Sequence, residues 1–369
     1  MIFILWIFVF ATLIQLIFWL FLFSKLAFYK SPEDPNLHQD QKIPVSIIIC
    51  ARNEAENLRH NLPRILNQND RLYEVLVVND NSQDNTLKVL TYLCQKYSHL
   101  RIINFHNKNK SQVGKKFALA KGIEEAKHEV LLLTDADCCP MSADWLGEMR
   151  AVLSDRIEVG LGYAPYYIKS GLLNKIIRFE TVYTAVQYLS FALAGMPYMG
   201  VGRNLIYKKN LFRKANGFKK HEEIASGDDD LFINEVANSD NTRIILKPET
   251  FMLSPSKETW QGWFRQKSRH LTTGKHYRTK HKILLGLLSA SHLAHYLAGV
   301  VVGLKFSIIF AFLIYAVRVS VITVFYGLIL KKLQDRALIK WIPILDAVFV
   351  VYYLVFAPIL FFGKTKRWK

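Results

Sequence analysis

Cysteine is scarce in this chain, with four residues in 369: Cys50, Cys94, Cys138 and Cys139. Their spacing forms no disulfide framework, which suits a reducing compartment. Cys138 and Cys139 are adjacent and no C-x-x-C pair exists elsewhere, which argues against a structural zinc site. Acidic charge is also in short supply. Thirty Asp and Glu face 48 Lys and Arg, giving a net charge of +18. A basic chain with 13% aromatic and 51% apolar residues points to nucleic acid or membrane as partner. RNP, zinc-finger and helix-turn-helix patterns are absent, and much of the basic charge flanks apolar segments, so no nucleic acid partner is expected. Internal repeats and low-complexity tracts are missing too.

Charge is absent altogether from residues 2–23, "IFILWIFVFATLIQLIFWLFLF". At roughly 1.5 Å per residue this length crosses a hydrocarbon core of about 30 Å. It lacks the basic n-region and small-residue cleavage site of a signal peptide. Lys25 and Lys30 follow directly, which predicts a cytoplasmic C-terminal side. A second apolar block predicts spans near 283–304, 306–330 and 341–362. His292 and His295 weaken the first, which is alternatively an interfacial helix. Arg318 and Asp346 lie within the other two and are expected to face protein, pair or snorkel. Basic clusters occur at both 331–340 and the C-terminal end, so charge bias leaves the C-terminal topology open.

Between these blocks, short apolar runs alternate with helical patterns. "VSIIIC" (45–50), "EVLVVND" (74–80), "RIINF" (101–105) and "EVLLLTDAD" (129–137) read as strands. Helices are expected at 53–68, 84–97 and 115–126. Strands that are almost wholly apolar predict a mostly parallel sheet covered on both faces, an α/β domain. Ligands of such sheets bind beyond the carboxyl ends of the strands. Polar residues gather there: "CARNE" (50–54), "NDNS" (79–82), "VGKKFALAKG" (113–122) and "TDAD" (134–137). Each alone reads as a turn, a cap or a solvated helix start. Lysines in a first helical turn oppose the helix dipole and point to an anionic partner. Convergence at one sheet edge favours a shared site.

Together with "GDDDLF" and "QKSRH", these segments occur in the order and spacing of the family 2 glycosyltransferases of GT-A fold. The resemblance covers about residues 44–280. It implies a nucleotide-sugar donor, a divalent cation (Mg²⁺ or Mn²⁺) and transfer with inversion at the anomeric carbon. By the same resemblance Asp80 matches the base-binding aspartate of D-D-x-S, with Asn79 where the first aspartate is common. Asn donates and accepts, so base contact is retained, and the donor is a UDP-sugar or, as the other option, a GDP-sugar. Ala51, Arg52 and Glu54 would line the same pocket, and Lys115 matches the lysine of the family's G-K segment. A glycine-rich nucleotidyltransferase loop is missing.

The D-x-D pair has a direct physical purpose. A nucleoside diphosphate leaves poorly unless its charge is balanced, and Mg²⁺ or Mn²⁺ takes oxygen ligands. In an extended segment residues i and i+2 point the same way. Asp135 is therefore expected to face the ribose while Asp137, with Asp135 beside it, reaches the metal. The cysteines that follow are expected to be small packing residues.

"ASGDDDLFINEVANSD" places three carboxylates at the start of a predicted helix. The family's Glu-Asp pair falls on Asp228–Asp229 by helix length, making Asp229 the base that takes the acceptor proton. Matching the following Asp-Leu selects Asp228. In "WQGWFRQKSRH" (260–270), Gln266, Arg269 and His270 share one helix face, with Trp263 one turn earlier. The family has Q-x-x-R-W here, its arginine toward the diphosphate. His270 replaces the stacking indole of processive polymerases. Arg203 in "GVGRNLIYKK" is a further candidate, and 171–199 is either core or membrane surface.

The chain thus divides into an N-terminal transmembrane helix (1–24), a linker (25–43), a catalytic domain (44–282), a C-terminal transmembrane region of about two to three helices (283–363) and a basic tail (364–369). The acceptor expected is a hydroxyl of a membrane lipid or lipid-linked acceptor, with processive polysaccharide synthesis as the alternative and an inactive membrane scaffold as the outside one. Few spans for a pore and His270 favour the lipid.

Overall fold

The computed structural model describes residues 2–31, 43–105, 114–224 and 226–362. The basic tail at 364–369, most of the linker at 25–43 and Val113 of the V-G-K-K segment lie outside the described residues.

A long apolar helix, α1 (Ile2–Ala27), opens the chain and contains a π-helical turn at Phe18–Phe23. The domain that follows alternates β1 (Val45–Ala51), α2 (Ala55–Leu66), β2 (Tyr73–Asp80), α3 (Thr86–Lys96), β3 (Leu100–Phe105), α4 (Lys115–Glu125) and β4 (Val130–Asp135). Its second half is more irregular: β5 (Cys139–Pro140), α5 (Trp145–Arg150), β6 (Val159–Leu161), α6 (Leu172–Leu193), β7 (Leu205–Lys208), α7 (Lys209–Lys214), α8 (Asp230–Val236), β8 (Thr242–Ile244), β9 (Met252–Leu253) and α9 (Trp260–Leu271). Three long helices close the chain: α10 (Thr279–Lys305), α11 (Ile308–Lys332) and α12 (Ile342–Phe362).

The sheet order is β3-β2-β1-β4-β7-β6-β8. The first four strands are mutually parallel, β7 runs antiparallel to β4 and β6, and β5 pairs with β9 apart. Successive residues of β1 serve opposite cores. Ile47 and Ile49 pack with Leu58, Leu62 and Trp145, whereas Ile48 packs with Leu119, Ile123 and Leu189. Two buried faces are why these strands carry apolar runs without alternation.

The second core continues without a break into the apolar helices, joining Trp19, Phe325, Tyr326 and Phe349 to sheet residues. Most residues of α6 are buried in this core. This helix buries Arg178 and Glu180. Arg178 pairs with Asp335 just after α11, and Glu180 pairs with Lys267 of α9. A buried ion needs such a partner to offset lost hydration.

Among the described residues, four helices are long and apolar enough to cross a membrane: Ile2–Ala27, Thr279–Lys305, Ile308–Lys332 and Arg336–Ile359. The histidines that weakened the first C-terminal helix face inward. His295 meets Thr12 of α1 at 2.7 Å, and Gln15 donates to Ser291 Oγ at 2.7 Å. Arg318 and Asp346 pair with each other at 2.6 Å, with Tyr296 donating to Asp346 at 2.8 Å. These polar side chains pair across the helices, as polar groups within apolar helices are expected to do. The last helix also leans on the catalytic domain. Phe349 packs on Phe179 of α6, and Phe356 on Trp263 of α9, at ring distances of 5.0 and 5.6 Å.

Candidate active site

Sheet register brings the motifs together. Ala51 lies beside Asn79, Cys50 beside Asp135, and Asn79 beside Asn104, all at the carboxyl ends of the parallel strands. The loop after β1 is bound to the loop after β2: Asn53 N–H donates to Ser82 Oγ at 2.9 Å, and Gln83 N–H donates to Asn53 Oδ1 at 2.8 Å. Asn53 takes φ +56° to do so, a conformation Asn tolerates. Glu54 N–H donates to Thr86 Oγ1 at 2.9 Å. Asn79 and Asp80 are buried at this edge, and Asn79 donates to Asn104 at 2.7 Å. Burial, and next Asp137 and Asp135, raise the Glu54 carboxyl above its ordinary range. Arg52 and Glu54 therefore lie on the loop that faces the D-x-D turn.

Asp135 and Asp137 converge, but by a different route from the extended one expected. β4 ends at Asp135 and the chain turns at Ala136–Asp137, closed by Cys138 N–H donating to Asp135 C=O at 3.1 Å. Ligand atoms of Asp135, Asp137 and Cys138 all lie within 4.8 Å of one another. Cys138 is a donor in this group: its thiol approaches Asp137 Oδ1 at 3.4 Å. Burial, then the two aspartates, hold the thiol well above its ordinary pKa. The two carboxylates supply the oxygen donors that a hard divalent cation takes, so Asp135 and Asp137 are the candidate ligands.

Lys115 opens α4 beside this turn. Its ammonium is 2.8 Å from Asp135 and 3.4 Å from Asp228, joining carboxylates ninety-odd residues apart in sequence. Burial opposes ionisation of Asp135, but Lys115 outweighs it and holds the carboxyl below its usual range. Burial, and then the neighbouring Asp135 charge, push Asp137 the other way.

The three aspartates of the "GDDDLF" segment have separate surroundings. Asp230 is buried and accepts from Thr273 and Tyr277, the latter at 2.7 Å. Asp229 caps α8: one oxygen accepts from Asp230 N–H at 2.8 Å, the other from Gly202 N–H at 2.7 Å. Burial, then Asp228 and Asp230, raise Asp229 to about 7. Of the three, Asp228 is the one within ion-pair distance of Lys115. Gly227 turns the chain before it at φ +93°, where an added Cβ would meet Leu231 at 2.4 Å.

The remaining candidates come from α9 and the turn before β7. Gln266, Arg269 and His270 lie on α9, which the Lys267–Glu180 pair fastens to α6. Arg269 and Arg203 are both close enough for their charge to favour ionised Asp135. Arg203 bonds Ser254 and Ala164 C=O and lies over the Tyr166 ring, 4.5 Å from its centroid. Lys116, which sequence reasoning passed over as part of "GKK", donates to the carbonyls of His221, Ile224 and Ser226 at 2.7, 2.9 and 2.9 Å. No local pattern reveals a partner more than a hundred residues away.

The pattern of "Glycosyl transferase family 2" matches residues 46–214. That match places residues 46–214 in glycosyltransferase family 2. It is 26% identical over 238 residues to a probable glycosyltransferase, YdaM, of Bacillus subtilis, covering 61% of this chain and 54% of that protein. It is 24% identical over 117 residues to a poly-beta-1,6-N-acetyl-D-glucosamine synthase of Staphylococcus aureus, covering 32% and 27%. The chain thus spans about half or less of the length of these relatives. Among solved structures, a mannosyltransferase of Pyrobaculum calidifontis in complex with GDP-Man and Mn²⁺ superposes with a TM-score of 0.60. That match covers 95% of this chain and 98% of the other at 16% identity, a likeness of fold.

Proposed function

We propose that this family 2 protein transfers a sugar, with inversion, from a nucleotide-sugar donor to a hydroxyl of a membrane lipid or lipid-linked acceptor. The observation that carries this reading is the Lys115 bridge between Asp135 and Asp228, which unites an oxygen-ligand site with an acidic group at one sheet edge. The Pyrobaculum mannosyltransferase, seen with GDP-Man and Mn²⁺, supports a nucleotide sugar and a cation as its ligands. Uridine and guanosine donors both fit Asn79 and Asp80.

In this reading Ala51, Arg52, Glu54 and Asp80 border the nucleoside, Lys115 and Arg269 border the diphosphate, and Gln266 and His270 line the donor site beside Arg269 on α9, His270 in the place of the family's stacking indole. Asp137 and Asp135 would hold a Mg²⁺ or Mn²⁺ ion, whose contribution is to neutralise charge on the departing diphosphate. The acceptor hydroxyl loses its proton to a carboxylate as its oxygen attacks the anomeric carbon and the diphosphate leaves from the opposite face. Of Asp228 and Asp229, we assign the base to Asp228. Both oxygens of Asp229 already accept backbone N–H groups, whereas Asp228 faces the group that contacts Asp135.

The lipid acceptor is supported by α9, which carries Gln266, Arg269 and His270 and packs through Trp263 on the apolar α12. A hydroxyl presented at the membrane surface would enter beside it. Lys25, Lys30, Lys331, Lys332 and the lysines at the start of α10 gather at the helix ends nearest the domain, which supports a cytoplasmic catalytic side.

The deciding experiment incubates purified full-length protein in lipid nanodiscs with radiolabelled UDP- and GDP-sugars. Metal-dependent label in the organic-solvent fraction is expected. Label confined to a water-soluble or insoluble polymer would favour the polymerase alternative, and no turnover with any donor would sink the enzyme reading.

A further inference from the structure

We infer that Lys116 is a positioning residue that sets the loop bearing Asp228 against the D-x-D turn, by gathering the His221, Ile224 and Ser226 carbonyls onto one ammonium. The inference rests on the reading of Asp228 as the base.

Three features carry it. First, the three acceptors lie at 2.7, 2.9 and 2.9 Å, which uses all three N–H donors of a lysine. Charge-assisted bonds of this kind are stronger than neutral ones. Second, those carbonyls belong to a stretch with little other support. Between the 3₁₀ turn Lys219–His221 and α8, the described backbone is otherwise held by Glu222 N–H to Lys219 C=O at 3.4 Å, by Ile224 N–H to His221 C=O at 3.1 Å and by Ser226 Oγ at 3.5 Å from Arg269 C=O. Third, the two lysines of one helical turn divide the task. Lys115 takes the carboxylates of Asp135 and Asp228, while Lys116 takes the backbone leading to Asp228. The base and the metal-side carboxylates are therefore both referenced to the start of α4. The Phe218 ring lies 5.8 Å from the Lys116 ammonium, which walls one side.

A loop held this way sets the distance from the base to the attacking hydroxyl. Loosening it should slow proton removal while leaving the nucleotide pocket intact, because Lys116 touches neither the β1 nor the β2 loop.

The test uses the full chain in nanodiscs with three variants, Lys116→Met, Lys116→Arg and Asp228→Asn. Amide hydrogen exchange over 219–228 is measured alongside transfer kinetics. Lys116→Met is expected to lower kcat for transfer about ten- to a hundredfold, with donor KM within about twofold. It should speed exchange at 219–228 but not in β1, β2 or β4. Lys116→Arg should restore part of both effects, since guanidinium also donates to several carbonyls. Wild-type exchange at 219–228 in Lys116→Met, or a raised donor KM with unchanged kcat, would overturn the inference. If wild type itself transfers no sugar, the function reading fails, while the exchange measurement still decides whether Lys116 holds the loop. If Lys116→Met is slowed but Asp228→Asn is not, the assignment of the base fails and this inference with it.

Discussion

The Lys115 ammonium lies 2.8 Å from the Asp135 carboxylate, at the junction of the strand end and the acidic loop. Removing that charge has two opposite consequences. Lys115→Met should cut sugar transfer on the order of 10²-fold, because a cation near the diphosphate is lost. The same change leaves Asp135, Asp137 and Asp228 less balanced, so Mn²⁺ should bind the nucleotide-free protein more tightly. Electron paramagnetic resonance titration of Mn²⁺ reads the second effect independently of activity.

Asp228 and Asp229 should separate cleanly. Asp228→Asn is expected to lower transfer kcat by about 10²- to 10⁴-fold with donor binding retained, the range for loss of a general base. Asp229→Ala loses the α8 cap and the Gly202 contact, so its main cost should be stability, about 1–2 kcal/mol. Single-turnover kinetics and thermal denaturation on the two variants compare these outcomes. Equal kinetic loss in Asp229→Asn, with Asp228→Asn spared, would return the base to Asp229.

Asp229 also gives stability a pH dependence of defined sign. Its carboxyl is raised to about 7 by burial and by its acidic neighbours, well above an unfolded aspartate near 3.8. A raised group binds its proton more tightly when folded, so it favours folding at low pH. That contribution fades as pH rises from about 4 to about 7. In chelator, Asp229→Asn should therefore gain stability relative to wild type across that window. A constant difference in melting temperature between pH 4.5 and 7.5 would contradict the shift.

Metal dependence should follow oxygen and ignore sulfur. Asp137→Ala is expected to abolish Mn²⁺ stimulation, while Cys138→Ala and Cys139→Ala keep it. Cys138 lies within the 4.8 Å group, yet its thiol is held in the neutral form and only donates to Asp137. Loss of Mn²⁺ affinity in Cys138→Ala, measured calorimetrically with nucleotide present, would make the thiol a ligand after all.

The pair inside the apolar helices should behave as a buried ion pair. Arg318 and Asp346 are 2.6 Å apart and both buried. Arg318→Leu alone leaves the buried Asp346 carboxylate without its arginine, with only Tyr296 and His292 beside it, and should cost about 3–5 kcal/mol. Arg318→Leu with Asp346→Leu should recover most of that. Thermal unfolding in detergent measures both, and a double variant no better than the single one would refute the coupling.

Much of the catalytic half was legible in order along the chain. Apolar runs bounded by turn residues located β1, β2, β3 and β4 within a residue or two, because both faces of a parallel sheet are buried and each strand leaves the same signal. Polar clusters at those strand ends marked the site for the same reason. Local geometry is not carried by these patterns. Asp135 and Asp137 meet through a turn rather than along a pleat, and the helix expected after "GDDD" is only Asp230–Val236.

The sequence by itself determined the α/β alternation, the apolar helices and the set of strand-end motifs, since each rests on periodicity or motif order within a few residues. Tertiary structure alone decided which aspartate faces Lys115, that Lys116 serves a loop over a hundred residues away, and that Arg318 meets Asp346. These are matters of direction and distance between segments brought together only by folding. A carboxylate's partner, and hence its chemistry, is set by what the packed core places opposite it.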